Sequence, residues 1–300
     1  MNILITGAEG LLGSNLCVLY SAGHTVYATG RNFPSINRCI NLKLDILSPS
    51  DICQIVQIRP NLVIHCAALT NVDYCEEYPD DAWKVNVEGA KNVMIASQLS
   101  QSNFVHISTD AVFDGKKGGY DESDEPKPLN VYGKTKHEAE KIILATMPSA
   151  TVIRTNIYGW NRKQKHSLAE WMLYNLENGI SFQAITDLFF SPLLVNNLAD
   201  ALLEIHSVQY HGLLHIAGEC CSKFQFAESI AEIFKMDPSL IRQAMMDEIP
   251  FKAPRAKNMC LNAKKSAALL KTKVYSIREG LLQFRSLREQ GYINELRATA

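Results

Sequence analysis

Residues 5–16 read ITGAEGLLGSNL. The first two residues complete a short apolar run, NILIT (2–6), and the last six open an amphipathic stretch. Gly7, Gly10 and Gly13 form G-x-x-G-x-x-G at this strand-to-helix turn. Gly7 permits a sharp exit from the strand, Gly10 a close approach of backbone to a diphosphate, and Gly13 tight packing of helix on sheet. The unpaired N–H groups of the helix start then form an anion site. Gly7, Gly10, Leu11, Leu12 and Gly13 are therefore the expected diphosphate-binding residues of a dinucleotide site.

The rhythm continues outward from that turn. Strand-like runs at 25–30, 40–46, 62–68, 103–109 and 150–155 alternate with amphipathic stretches at 11–22, 50–58, 79–100 and 131–146. Strands separated by helices of this length predict βαβ units and a parallel sheet covered on both faces. The expected fold is α/β, a Rossmann-type doubly wound sheet, with a smaller C-terminal mixed α/β substrate domain. Residues 1–156 make the cofactor domain and 157–300 the substrate domain, with a segment near 190–215 returning to the first. Helical patterns at 166–179, 196–207, 223–235 and 276–289 fill the second part, with a strand-like piece at 212–218. The polar segment 114–130, rich in Gly and Pro, reads as a loop near the site.

Composition narrows the class. The chain has 300 residues, 47% hydrophobic and 20% charged, with net charge −1. It lacks the basic excess of a nucleic-acid binder, and no apolar run approaches the roughly 18 residues of a membrane span. MNILITGAEG opens at once on a strand, so a cytoplasmic location is expected. The eight cysteines form no C-x-x-C and read as reduced, mostly buried thiols, with no metal site. His65 and His106 fall inside apolar strands and read as core residues.

Arg31 ends the second strand where an acidic residue would hold ribose hydroxyls, and its guanidinium suits a 2′-phosphate. NADPH is the expected cofactor, with NADH possible. Asp45 and Ile46 are placed toward the adenine side, and Cys66, Ala67 and Ala68 let backbone pass close to the cofactor.

FVHISTDAVFDG puts Thr109 and Asp110 at the carboxyl end of the fifth strand, the edge where such sheets bind ligands. In VYGKTKHEAEK, Tyr132 and Lys136 are four apart and share one helix face. A neighbouring ammonium is expected to lower the phenol's pKa and fit it for proton exchange with a carbonyl oxygen. Thr109, Tyr132 and Lys136 are the expected catalytic residues, with Lys136 also holding the cofactor ribose.

With these stretches in place, the chain resembles an extended short-chain dehydrogenase/reductase of the dTDP-4-dehydrorhamnose reductase family. VIHCAALTNVDYCEEYPDDAWKVNVEGAKNV, PLNVYGKTKHEAE, FFSPLLVNNLADAL and PRAKNMCLN carry the resemblance further along the chain. It implies NAD(P)H-dependent reduction of a nucleotide-linked 4-keto-6-deoxy sugar, with Thr70, Val72, Asp110 and Asn156 near the sugar and Arg255 and Asn258 near the nucleotide diphosphate. A homodimer is compatible with it.

The sequence also departs from the family pattern. Asn156-Ile157 replaces a Trp-containing segment, Ala111 replaces a Tyr, and Ala256 and Met259 replace a Pro and a Ser. Trp160 and Trp171 are the aromatics available to rebuild the sugar surface. Ala111 also removes the second carboxyl group that a related dehydratase would use. A sugar-nucleotide epimerase, and a non-catalytic NADP-binding subunit like the methionine adenosyltransferase beta subunit, remain open alternatives.

Overall fold

A computed structural model describes residues 1–163 and 166–298 of the chain. The first half supplies β1 (Asn2–Thr6), β2 (Thr25–Gly30), β3 (Ile40–Lys43), β4 (Leu62–His65), β5 (Asn103–Thr109) and β6 (Thr151–Tyr158). The second half adds β7 (Phe182–Ile185), β8 (Phe189–Phe190), β9 (Pro192–Leu194), β10 (Gly212–His215), β11 (Cys221–Ser222) and β12 (Ile241–Ala244). The main sheet runs β10-β6-β5-β4-β1-β2-β3, with β9 joined to the far end of β6. Its pairings are parallel throughout. The order reverses between β1 and β4, which opens a crevice at the carboxyl ends of the strands.

The helices between the early strands are α1 (Leu11–Tyr20), α2 (Pro49–Ile58), α3 (Val72–Glu77), α4 (Pro79–Trp83), α5 (Ala90–Leu99) and α6 (Val131–Thr146). They are followed by α7 (Leu168–Glu177), α8 (Val195–Ser207), α9 (Lys223–Phe234), α10 (Lys264–Leu269), α11 (Ile277–Glu289) and α12 (Tyr292–Arg297). Alternate residues of each inner strand face opposite layers. Ile3, Ile5, Ile64, Val105 and Ile153 pack into the core with α1 and α8. Leu4, Val63, Phe104 and Val152 pack into the one with α5 and α6. Burial on both faces explains why these strands are continuously apolar.

Local chemistry sets the boundaries that matter for the site. Asn130 caps α6 by accepting from the Gly133 N–H at 2.9 Å, while its amide donates to the Pro254 carbonyl, also at 2.9 Å. One residue thus starts the helix carrying Tyr132 and Lys136 and pins a C-terminal segment beside it. The single helix expected over 79–100 is broken by a π-helical turn at Lys84–Gly89. That turn presents Asn86 to the end of β4, where it pairs with both backbone groups of Leu69 (2.7 and 3.1 Å) and with Thr135. Single π turns of this kind commonly reposition one side chain. The strand expected over 62–68 ends at His65, and residues 66–69 run on as irregular backbone.

Segments 192–194 and 212–215 join the main sheet beside β6. Outside it, β8 pairs with β11 and β7 with β12. Phe189 of β8 also bridges to Asn258. By touching both partners, β8 draws Cys220 and Cys260 together, and they form a disulfide with a Cα separation of 5.4 Å. The expectation of eight reduced thiols fails there: sequence spacing does not reveal a strand that gathers residues forty positions apart. Cys17, Cys39, Cys53, Cys66, Cys75 and Cys221 are free.

The loop at 114–130 packs on the C-terminal segment, with Asn130 at its end lining the crevice. Tyr120 stacks on Phe113 with ring centroids 4.1 Å apart and bridges to Leu261, so the loop braces the C-terminal segment. Among the described residues, no helix is long and apolar enough to cross a membrane.

Candidate active site

A cleft of about 760 Å³ follows the carboxyl edge of the main sheet. One end is built by the glycine turn. Gly7 has φ +65, and a β-carbon there would lie 2.7 Å from the Ala67 nitrogen. A β-carbon on Gly13 would come within 2.3 Å of the Gly7 carbonyl oxygen. No side chain caps the N-terminus of α1 at Gly10. Glycines at 7 and 13 thus let the turn pack tightly on itself and on the end of β4, and the uncapped start of α1 suits a dinucleotide diphosphate. Leu11, Leu12, Arg31, Asp45, Ile46, Cys66, Ala67 and Ala68 line the same cleft. Asp45 is turned to its own loop, accepting from the Leu47 N–H at 2.9 Å.

The other end holds Thr109, Asp110, Tyr132 and Lys136, with Thr70, Val72, Asn156 and Arg255. Thr109 Oγ1 accepts from the Ala111 N–H at 3.2 Å and donates to the Asp110 carboxylate at 3.1 Å. Asn156 donates to the second Asp110 oxygen at 2.7 Å. Burial raises the Asp110 pKa, against the hydrogen bond from Asn156 and the nearby Lys223 ammonium. Lys223 lies over the Phe190 ring, 3.1 Å from its centroid.

Lys136 is almost fully buried and faces inward. Its ammonium donates to the Ile107 carbonyl at 2.7 Å and lies 3.1 Å from Nε2 of His106. Burial lowers its pKa to about 8, although Glu140 and Cys66 favour the charge. Tyr132 departs from the expectation of an acidified phenol. Burial pushes it well above its ordinary range, hydrogen bonding with Thr109 works the other way, and Asp110 adds to the rise. With the ammonium drawn toward β5, desolvation dominates at the phenol.

Behind the trio, Arg154 donates to Glu140 at 2.6 Å in an almost fully buried pair, and Ser108 donates to the same carboxylate. Burial opposes the Glu140 charge, but His137, Arg154 and Ser108 together hold its pKa low.

Some expectations are corrected. Asn258 does not line the cleft; its neighbours Ala256 and Met259 do. Its backbone N–H reaches the Gly115 carbonyl, and its side chain packs at Gly118 and accepts from the Cys260 N–H. Neither Trp replaces the lost aromatic surface. Trp160 is buried against Phe284, with centroids 3.9 Å apart, and Trp171 packs on Phe182. Arg255 lines the cleft while paired with Asp73 at 2.8 Å. Glu9 and Lys163 also line it and escaped the sequence reading. Glu9 was legible as the only charged residue within the glycine turn; Lys163, far along the chain, carried no local signal.

A profile of the RmlD substrate binding domain matches residues 1–287. The chain is 32% identical over 284 residues to the dTDP-4-dehydrorhamnose reductase of Mycolicibacterium smegmatis, covering 93% of this chain and 83% of that protein. It is 30% identical over 248 residues to methionine adenosyltransferase 2 subunit beta of Danio rerio, covering 79% and 75%. Among solved structures, the dTDP-4-dehydrorhamnose reductase of Bacillus anthracis in complex with NADP aligns with TM-score 0.86 and 30% identity, covering 95% of this chain and 98% of that one.

Fold and cleft thus define an NAD(P)-dependent sugar-nucleotide reductase of the extended short-chain type. The chain belongs to the RmlD substrate binding domain family, that of the dTDP-4-dehydrorhamnose reductases.

Proposed function

We propose that the enzyme reduces the C4 ketone of a nucleotide-linked 4-keto-6-deoxy sugar of the dTDP-4-dehydrorhamnose kind, with Tyr132 as proton donor. One observation carries the reading: Thr109, Tyr132 and Lys136 share a cleft with the glycine turn at its other end. The nicotinamide cofactor supplies a hydride when bound. Tyr132, kept protonated by burial, gives its proton to the carbonyl oxygen. Reduction requires that protonated state, so a raised phenol pKa suits this direction of reaction. Thr109, its Oγ1 held by the Ala111 N–H, turns its one hydroxyl proton from the Asp110 carboxylate to the same oxygen. Lys136 holds the ribose, its positive charge offsets the phenolate once the proton has left, and a solvent proton restores the phenol. Gly7, Gly10 and Gly13 cradle the cofactor diphosphate, Thr70, Val72, Asp110 and Asn156 contact the sugar, and Arg255 takes the substrate diphosphate.

The test is NAD(P)H oxidation against a panel of nucleotide 4-keto sugars. Tyr132→Phe should lose about 100-fold or more in kcat while binding cofactor as the parent does. Turnover equal to the parent's would refute the proton-donor assignment. A second reading, a cofactor-binding regulatory subunit, is supported by the likeness to methionine adenosyltransferase 2 subunit beta. Tight NADPH binding with no turnover across the panel would favour it.

A further inference from the structure

The tip of β2 carries Gly30, Arg31 and Asn32, with no acid to take ribose hydroxyls. The structure brings one in from elsewhere. Oε2 of Glu9, in the glycine turn, lies 3.7 Å from where a β-carbon on Gly30 would stand. Its carboxylate therefore stands at the strand tip, where the adenosine ribose of a dinucleotide sits in folds of this type. Lys163 faces it at 3.5 Å. That lysine comes from the segment after β6, and its neighbour Arg162 anchors the segment by donating to the Ser35 carbonyl at 2.8 Å, just beyond β2. Glu9, Arg31 and Lys163 all line the same end of the cleft.

From this arrangement we infer that Glu9 and Lys163 form an opposed pair that sets the choice between NADH and NADPH. Glu9 accepts hydrogen bonds from free ribose hydroxyls and disfavours a 2′-phosphate. Lys163 neutralises Glu9 and, with Arg31, favours the phosphate. The inference rests on the dinucleotide reading of the cleft. A carboxylate a few ångströms from a phosphate, at a partly solvated site, acts over a range in which one charge is worth about tenfold in affinity. Both side chains are partly exposed, at 23% for Glu9 and 52% for Lys163, so added salt should weaken the effect.

The experiment is a fluorescence titration of the purified protein with NADH and with NADPH, needing no sugar substrate. Glu9→Gln should tighten NADPH about tenfold and weaken NADH several-fold. Lys163→Met should do the reverse for NADPH and leave NADH nearly unchanged, and the double variant should fall between. Far-UV circular dichroism checks that each variant is folded. A ratio of the two dissociation constants unchanged in both single variants would overturn this inference while leaving the cofactor site intact. A parent protein that binds neither cofactor would overturn the dinucleotide reading and this inference with it.

Discussion

The ammonium of Lys136 lies 3.1 Å from Nε2 of His106, and that imidazole is wholly buried. Burial and the nearby Lys136 charge hold His106 well below its usual pKa, so it remains neutral and can accept. His65 stacks on it with centroids 5.3 Å apart, and burial drops the His65 pKa to about 3. Two uncharged imidazoles therefore floor a lysine whose other near neighbours are Cys66, Glu140 and the Ile107 carbonyl.

With a Lys136 pKa of about 8, the pH–rate profile should fall on its alkaline side near that value. His106→Phe removes an acceptor for the ammonium, so the alkaline limb should move to lower pH. A limb that stays in place while kcat falls would indicate damage to packing alone.

Stability offers a second reading of the same lysine. An ordinary lysine titrates near about 10.4, so between pH 8 and that value the unfolded chain binds more protons at this position. The parent should gain about 3 kcal/mol relative to Lys136→Met as pH rises through this window. Urea denaturation at a series of pH values measures the difference.

The Arg154–Glu140 pair should be costly to break. Arg154→Met leaves a buried carboxylate unpaired and should destabilise by about 3–5 kcal/mol. Replacing both residues by Met should recover much of that loss. Glu140 is held below its ordinary pKa, so its contribution is present above that ordinary value and is lost as pH falls through the folded one. The penalty for Arg154→Met should shrink in acid.

The disulfide between Cys220 and Cys260 closes a loop of forty residues, which sets its stabilisation at about 3–4 kcal/mol. Cys260→Ser should lower the urea midpoint accordingly. Alkylation after unfolding without reductant should label six thiols, and eight after reduction.

Much of the fold was legible because its signals are local. The glycine turn, the continuously apolar strands and the four-residue Tyr132–Lys136 spacing each follow from neighbouring residues. What escaped depends on distant parts of the chain. The π turn at Lys84–Gly89 exists to deliver Asn86 to Leu69, a contact that helical periodicity cannot encode. Lys163 reaches Glu9 from more than 150 positions away, and Asn258 is bonded to the 114–130 loop instead of lining the cleft. The direction of the Tyr132 shift was misread because spacing along a helix does not say where an ammonium points.

Arg255, which lines the cleft, is already held by Asp73. In the proposed binding mode, an incoming diphosphate must win this guanidinium from Asp73, so part of its attraction is cancelled on arrival. On that reading the pairing is expected to shorten the lifetime of the bound product and to favour repeated turnover over retention. Asp73→Asn should accordingly slow dissociation of a nucleotide diphosphate, trading speed for grip.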